Sequence, residues 1–219
     1  MLDLTFAKRR KERLTVLCIG CHSDDIEIGA GGTILELVAA HPAAEFWWVV
    51  LSGNKVRERE ARRSAARFLR GAKAATIVTK DFRDSFFPYR GEAIKESINE
   101  LRRSVSPDII FTHCRGDLHQ DHRLVAELSW NAFRDHLILE YEIPKYDGDL
   151  GQPSFFVPLA EATCRAKARL ILRSFPSQKD NHWFTEETFR ALLRLRGIES
   201  NSPTGYAEAF YARKIVVRP

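Results

Sequence analysis

The segment LTVLCIGCHSDD, residues 14–25, joins an apolar run to a cluster of polar side chains. Leu14–Cys21 is apolar and partly β-branched, which predicts a buried strand. His22-Ser23-Asp24-Asp25 follows at once, and Gly31-Gly32-Thr33 then opens a predicted apolar helix, Ile34–Ala40. A buried strand that leads through a polar turn into an apolar helix is typical of proteins in which helices cover a parallel sheet.

Predicted strands and helices alternate along the rest of the chain. The further strands are expected at Glu45–Ser52, Ala75–Thr79, Asp108–His113, Leu137–Ile143 and Phe210–Val217. The further helices are expected at Arg57–Arg70 (ended by Gly71), Glu92–Val105, His119–Asp135, Leu159–Arg173 and Glu186–Arg196 (ended by Gly197). Pro144–Pro158 is rich in glycine and proline and is interpreted as a long loop and a candidate lid. The alternation predicts an α/β fold, a Rossmann-like three-layer sandwich with a mostly parallel central sheet and an elaborated C-terminal third.

Length and composition favour one globular domain over residues 1–219. Of the 219 residues, 44% are hydrophobic and 29% are charged, which is enough apolar material for a core. No apolar run approaches the roughly 18 residues of a membrane helix. Basic residues precede Leu14–Cys21 as in a signal peptide, but no small-residue cleavage pattern follows. We therefore expect a chain that starts at Met1 and stays in the cytoplasm, where four cysteines need form no disulfide scaffold.

Two polar clusters follow the first and the fourth predicted strands. The first is His22-Ser23-Asp24-Asp25, and the second is Asp117-Leu118-His119-Gln120-Asp121-His122. In a doubly wound sheet these strands are neighbours at the switch point of the strand order, where ligands bind. Imidazole and carboxylate ligands suit Zn²⁺ or another divalent first-row metal such as Fe²⁺. Taken alone, the first cluster is also explained by helix capping and the second by surface histidines.

Several motifs together resemble the PIG-L (LmbE-like) family of deacetylases. They are, in chain order, His22-Ser23-Asp24-Asp25, Gly31-Gly32, Arg57-x-x-Glu60, Pro107–His113, Asp117-x-His119-x-Asp121-His122, Ser177-Gln178 and Tyr206–Phe210. The resemblance covers nearly the whole chain. It implies a metal-dependent hydrolase, mostly zinc-dependent in the family, that removes an N-acetyl or other N-acyl group from an amino-sugar conjugate, for example of N-acetylglucosamine.

The resemblance also implies which residues hold the metal and activate water. His22, Asp25 and His122 match the metal ligands of the family, and Asp24 matches the general base that activates the metal-bound water. The family commonly has proline where this chain has Ser23, a position that supplies no ligand.

Further roles follow from the same resemblance. His119 matches the residue that stabilises the oxyanion or protonates the leaving amine, and Asp121 looks like its orienting partner. Arg57 and the Arg83-Asp84 pair match regions in which the family contacts sugar hydroxyls or an attached phosphate. An arginine-rich helix face is also explained by solvation alone.

Other interpretations stay open at the level of sequence. Gly29-x-Gly31-Gly32 hints at a Rossmann-type nucleotide-cofactor enzyme, although the third glycine of that fingerprint is missing. A non-catalytic binding module that contains a metal is the second alternative. The net charge of +5 fits plain solubility, and the aromatic residues lie in apolar runs, so no nucleic-acid partner is expected. We expect a small-molecule amino-sugar partner, and a homo-oligomer is left open.

Overall fold

The computed structural model of the protein describes residues 4–6 and 13–216. The strands are β1 (Thr15–Gly20), β2 (Glu45–Ser52), β3 (Ala74–Phe82), β4 (Ile109–His113), β5 (Leu137–Tyr141), β6 (Phe155–Pro158) and β7 (Ala207–Ala212). The helices are α1 (Asp25–Ala40), α2 (Lys55–Phe68), α3 (Gly91–Ser104), α4 (Gln120–Ala132), α5 (Glu161–Ser174) and α6 (Glu186–Glu199). Short 3₁₀ helices occupy Phe87–Arg90 and Pro176–Gln178.

The central sheet has seven strands in the order β3-β2-β1-β4-β5-β7-β6. β1 pairs in parallel with both β2 and β4, whereas β7 is antiparallel to both of its neighbours. One face packs on α1, α2, α5 and α6, and the other packs on α3 and α4. The predicted three-layer α/β sandwich with a mostly parallel sheet is confirmed, and the order reverses between β1 and β4 as the switch-point argument requires.

The strands at the centre of the sheet are buried on both faces, as an apolar run predicts. In β1, Val16 and Cys18 face the layer that contains α1, while Leu17 and Ile19 face the layer that contains α3. Cys21 lies on the opposite face from Cys18, and both thiols are free and buried. The two thiols face opposite sides of the sheet, so they are not placed to form a disulfide with each other. Burial raises the pKa of each thiol, which makes both of them unreactive core residues.

The predicted start of the first helix is wrong. α1 begins at Asp25, so the predicted opening at Gly31 lies well inside the helix. The glycine pattern signals close packing here, because a Cβ at Gly29 would lie 2.3 Å from the Tyr141 ring. These glycines are buried within α1 and form no phosphate-binding loop, which argues against the nucleotide-cofactor interpretation.

Boundaries in the C-terminal third also differ from the prediction. The predicted loop Pro144–Pro158 contains β6, a short edge strand that ends in proline. Gly197 lies inside α6 and does not end it. The position requires glycine because a Cβ there would lie 2.2 Å from the Gly205 carbonyl oxygen. The last strand begins three residues before Phe210 and ends at Ala212, so the predicted strand extends too far, since residues 213–216 are irregular. Val217 and the basic segment 8–12 lie outside the described residues.

Within residues 4–6 and 13–216, no helix combines the length and the apolar character that a membrane crossing requires.

A buried ion pair braces α1 from two other elements. Lys167 on α5 lies 2.6 Å from Glu208 on β7 and donates to the Ile28 carbonyl oxygen at 2.6 Å. Glu208 accepts the backbone N–H groups of Gly32 at 2.7 Å and Thr33 at 2.6 Å. In an ideal helix the Gly32 N–H would donate to the Ile28 carbonyl. Lys167 and Glu208 therefore hydrogen-bond to the Ile28 carbonyl and the Gly32 N–H, the two backbone groups that pair with each other in an ideal helix.

We predict that Glu208→Gln lowers the free energy of unfolding by about 3 kcal/mol, because it leaves the buried Lys167 ammonium without its counter-charge. Glu100→Gln is the matched control, since Glu100 pairs with Lys80 at the exposed surface, and its loss stays below about 1 kcal/mol. Urea unfolding of both variants measures the two losses. Equal losses would show that the buried pair does not brace α1.

Candidate metal centre

The three residues predicted as metal ligands converge at the carboxyl ends of β1 and β4. His22 Nδ1 lies 3.1 Å from His122 Nε2 and 3.4 Å from Asp25 Oδ2, and the His122 and Asp25 atoms are 3.6 Å apart. Around a tetrahedral zinc ion with bonds of about 2.0–2.1 Å, neighbouring ligand atoms are about 3.3–3.4 Å apart. The three donor atoms therefore fit one divalent ion with a further coordination position left open.

Local backbone structure presents these side chains. Asp25 begins α1 directly after the polar turn, and its Oδ2 accepts the His22 backbone N–H at 2.6 Å. His122 lies in the first turn of α4 and is buried. Burial would raise the pKa of Asp25, but the surrounding histidines His122, His113 and His22 hold it well below its usual value. Asp25 is therefore a carboxylate, the form that binds a metal.

A buried carboxylate fixes the orientation of His122. Asp117 Oδ2 lies 2.9 Å from His122 Nδ1, so it accepts the Nδ1 proton and leaves Nε2 free as the ligand atom. Burial would raise the pKa of Asp117, but the hydrogen bond and charge of His122 lower it to about 2. The other oxygen of Asp117 accepts the His119 backbone N–H at 2.8 Å and lies 3.1 Å from Lys145 Nζ.

The carboxylate of Asp121 faces His22 rather than His119. Its Oδ2 lies 3.3 Å from His22 Nε2, and the two carboxylate oxygens accept the backbone N–H groups of Ser85 at 2.7 Å and Phe87 at 3.1 Å. The predicted contact with His119 exists through the backbone, since the Asp121 N–H donates to His119 Nδ1 at 3.2 Å. Asp121 thus ties the segment after β3 to the metal centre.

Asp84 contacts the same nitrogen of His22. Its Oδ1 lies 3.1 Å from His22 Nε2, although 69% of its side chain is exposed. The hydrogen bond with His22 lowers the pKa of Asp84 to about 2. Burial lowers the pKa of His22, but Asp25, Asp121 and Asp84 outweigh it and raise that pKa well above its usual value.

Asp24 is a buried carboxylate beside the three donors. Its Oδ1 accepts a hydrogen bond from Arg57 Nη2 at 2.8 Å. Burial raises the pKa of Asp24, and the Arg57 guanidinium offsets part of that rise. Arg57 also lies 3.4 Å from Glu60 Oε2 and donates to Ser177 Oγ at 3.3 Å. The predicted substrate-binding arginine is thus held by three protein groups.

His119 caps α4 at the edge of the centre. Its Nδ1 accepts the Asp121 N–H, so the neutral ring carries its proton on Nε2. Burial and the neighbouring rings of His122 and His22 lower the pKa of His119, which favours the neutral ring at pH 7. His119 therefore presents a hydrogen-bond donor to the space beside the ligands.

A cleft of about 290 Å³ opens over the centre and is close to the size range of small-ligand sites. Its lining includes every predicted site residue except Asp121, which lies behind the wall, and it adds residues from later in the chain, among them Pro144, Lys145, Gln178 and Trp183. Trp183 supplies an aromatic side chain. Asp117 and Lys145 were given no role from the sequence. The position of Asp117 at the start of the second motif could have indicated a role at the site, whereas no sequence pattern indicates a role for Lys145.

Two further buried positions lie beside the candidate ligands. His113 Nε2 accepts the Cys21 backbone N–H at 2.9 Å and lies 3.1 Å from Asp25 Oδ2, while its Nδ1 has no hydrogen-bond partner among the described residues. Ser23 is buried, and its hydroxyl has no hydrogen-bond partner among the described residues, which agrees with a position where the family commonly has proline.

Fold and site together define a class: a Rossmann-like α/β protein with three candidate metal donors at the switch point of its sheet. Residues 17–133 match the family described as PIG-L: GlcNAc-PI de-N-acetylase. The chain belongs to this family, and the resemblance found in its motifs is confirmed.

Solved structures share the fold across almost the whole chain. N,N'-diacetylchitobiose deacetylase from Pyrococcus horikoshii is 23% identical, with a TM-score of 0.71 over 92% of this chain and 84% of that chain. The conserved protein TT1542 from Thermus thermophilus is 21% identical, with a TM-score of 0.70 over 94% and 97%. GalB, the 4-carboxy-2-hydroxymuconate hydratase from Pseudomonas putida, is 18% identical, with a TM-score of 0.74 over 94% and 98%. At these identities the likeness concerns the fold.

We predict that Asp117→Asn weakens metal binding about 10- to 100-fold, because His122 loses the acceptor that fixes its ring. Asp135→Asn is the control: Asp135 is an exposed aspartate that lies 2.9 Å from His136 Nδ1, far from the candidate ligands in sequence and without a hydrogen bond to that nitrogen. Competition with a zinc chelator measures both affinities. Equal affinities in the two variants would show that Asp117 does not support the ligand.

Proposed function

We propose that the protein is a metal-dependent hydrolase that removes an N-acetyl group from an amino-sugar conjugate. Family membership supports the reaction class. The observation that carries the chemistry is the buried Asp24 carboxylate, held by Arg57 beside three donors that do not need it as a ligand. We propose further that residues 1–219 act as one deacetylase domain, since β6 and β7 complete the same sheet.

His22, Asp25 and His122 would hold the metal. Zn²⁺ or Fe²⁺ at these donors would supply a Lewis acid that polarises the amide carbonyl and lowers the pKa of water. The second-sphere carboxylates Asp117 and Asp121 keep both histidine rings in place for this task.

Asp24 takes the proton of the attacking water. The Arg57 hydrogen bond at 2.8 Å fixes the carboxylate, and the raised pKa of Asp24 makes it a better proton acceptor than an ordinary aspartate. A carbon–oxygen bond forms at the carbonyl and the amide carbon–nitrogen bond breaks. The proton then passes from Asp24 to the amine nitrogen, so acetate and a free amine leave.

His119 stabilises the negative charge that develops on the carbonyl oxygen. Its ring is positioned by the Asp121 backbone N–H and carries its proton on Nε2. A fixed donor aimed at a developing oxyanion is among the largest contributions to such catalysis.

The cleft is lined by an aromatic side chain and by polar side chains, a combination that suits a sugar ring. Trp183 offers an aromatic surface, and Gln178 and Asp84 offer polar groups for hydroxyls. Asp84 is the stronger of the two predicted substrate contacts, because its side chain is exposed while Arg57 is already bound by Asp24, Glu60 and Ser177.

A hydratase is the second candidate, because GalB shares the fold. Both reactions use an activated water, so the fold alone does not separate them. The family match favours amide hydrolysis.

The deciding experiment measures acetate release from a panel of N-acetylglucosamine conjugates, before and after chelation of the metal. We expect release that chelation abolishes and that returning the metal restores. Water addition to 4-carboxy-2-hydroxymuconate, a conjugated tricarboxylic acid, without acetate release from any conjugate, would support the hydratase instead.

Two variants separate the base from the ligands. We predict that Asp24→Asn keeps its metal but loses about 10²- to 10⁴-fold in rate, because the amide cannot accept the proton. His122→Ala loses metal as well as rate. Metal analysis and acetate release are measured on the same samples, and full activity of Asp24→Asn would remove Asp24 as the base.

A further inference from the structure

Exposed apolar side chains gather around the mouth of the cleft. Several large hydrophobic residues that are exposed in the described part of the chain directly precede or follow a residue that lines the cleft. They are Val56, Phe86, Leu118 and Tyr146, which neighbour Arg57, Ser85, His119 and Lys145 respectively. Single exposed apolar residues are ordinary on a protein surface, whereas a group of them around one opening indicates a binding surface.

Phe86 and Tyr89 form an aromatic pair at this opening. The centroids of their rings lie 5.9 Å apart, and the ring planes are tilted by 48°. Tyr89 is 80% exposed and Phe86 is 37% exposed. The Arg83 guanidinium lies 3.5 Å over the Phe86 ring and restricts its movement. The aromatic pair is therefore an apolar surface that is open to solvent directly beside the wall of the cleft.

The backbone beneath the aromatic pair is fixed by the first turn of α4. Asp121 accepts the backbone N–H groups of Ser85 at 2.7 Å and Phe87 at 3.1 Å, and the Gln120 amide donates to the Ser85 carbonyl oxygen at 2.8 Å. Phe87 is fully buried, and Ser85 has a φ of 64°, a conformation that costs a residue other than glycine free energy. Aromatic side chains on a fixed backbone lose little conformational entropy when a ligand packs on them.

The cleft has room for little more than the amino sugar of a conjugate. Its volume of about 290 Å³ is at the lower limit of small-ligand sites. With the acetamide at the candidate donors, the group attached to the sugar, which is the aglycone, extends across the mouth of the cleft. The side chains available beside that mouth include the aromatic pair, and aromatic rings pack favourably on one another.

We propose that Phe86 and Tyr89 bind the aglycone of the conjugate, and that this aglycone carries an aromatic ring. This inference rests on the proposed function, because it requires an N-acetyl amino sugar in the cleft. The aromatic pair determines specificity: it contacts the part of the substrate that is remote from the amide and takes no part in breaking the carbon–nitrogen bond.

A protein partner is the competing occupant of the aromatic pair. A stable protein–protein interface buries about 800 Å² on each partner, far more than two side chains supply. The exposed residues that flank the pair along the chain are Arg83, Asp84, Arg90 and Glu92, all of them charged. Charged residues are depleted at the centre of protein interfaces. The small apolar area and its charged surroundings therefore favour one aromatic group of a small molecule.

Kinetics with matched glycosides tests the proposal. The substrates are the methyl and the 4-nitrophenyl glycosides of N-acetylglucosamine, as α and β pairs, which differ only in the aglycone. We expect the wild type to prefer the aryl glycoside by about 10-fold in kcat/KM. Tyr89→Ala should lose most of this preference, and Phe86→Ala part of it, through a higher KM for the aryl glycoside. The control is Leu195→Ala, an exposed apolar residue of α6 that does not line the cleft, and it should retain the preference.

Three results would overturn the aromatic pair as the aglycone site. The first is a wild type without an aryl preference, or an equal preference in the wild type, Tyr89→Ala and Leu195→Ala. The second is a loss of preference in Tyr146→Ala but not in Tyr89→Ala, which would assign the aglycone to the other exposed tyrosine at the mouth. The third is an altered oligomeric state of Tyr89→Ala in sedimentation with an unchanged preference, which would assign the pair to an interface between copies of the chain.

Calorimetry separates this proposal from the proposed function. The same glycosides are titrated into Asp24→Asn, which should bind them without turnover, and into Asp24→Asn combined with Tyr89→Ala. We expect Asp24→Asn to bind the aryl glycoside about 10-fold more tightly than the methyl glycoside, and the double variant to bind both alike. Equal affinities in Asp24→Asn, or no binding of either glycoside, would overturn the aglycone site. Aryl-selective binding that depends on Tyr89, without acetate release by the wild type, would count against the proposed function alone.

Discussion

The parallel pairing of β1 with β4 is the constraint on which the candidate site depends. Val16 lies opposite Ile109 and Cys18 opposite Phe111, so both strands end at the same edge of the sheet. The chain leaves each strand into a polar segment, and two segments far apart in sequence meet there. Because both strands are buried on both faces, the hydrophobic core fixes the separation of the donor atoms. The site is as rigid as the centre of the fold.

α1 transmits that rigidity to the acidic residues. Its first turn carries Asp25, with Asp24 at the cap, and its middle packs against Tyr141 through Gly29. Further along, the Lys167–Glu208 pair joins the helix to α5 and β7. The C-terminal third therefore stabilises the position of α1, the helix at whose start Asp24 and Asp25 lie.

The sequence was sufficient to predict the fold class and the proximity of His22, Asp25 and His122, and it was insufficient where a contact depends on tertiary structure. The periodicity of the sequence predicted the strands, and His22 and His122 each follow a strand end. Because β1 and β4 are neighbours in the sheet, the two residues lie close together. The start of α1 was missed because glycines chosen for close packing resemble those of a turn. Lys145 lies on an irregular segment without periodicity, so no local pattern points to Asp117 as its partner. Likewise, the sequence around Asp121 contains no pattern that predicts the contact of its carboxylate with His22 or with the backbone of the segment after β3.

Asp117 has a further consequence, because three parts of the protein share one carboxylate. It receives the His122 ring, the His119 backbone N–H and the Lys145 ammonium, and Lys145 in turn pairs with Asp149. A movement of Lys145 away from Asp117 would change the electrostatic field at this carboxylate, and with it the affinity of the His122 ring for a cation. By thermodynamic reciprocity, a cation bound by His122 would change the free energy of that movement by the same amount. Asp117 would therefore couple the wall of the cleft to its floor.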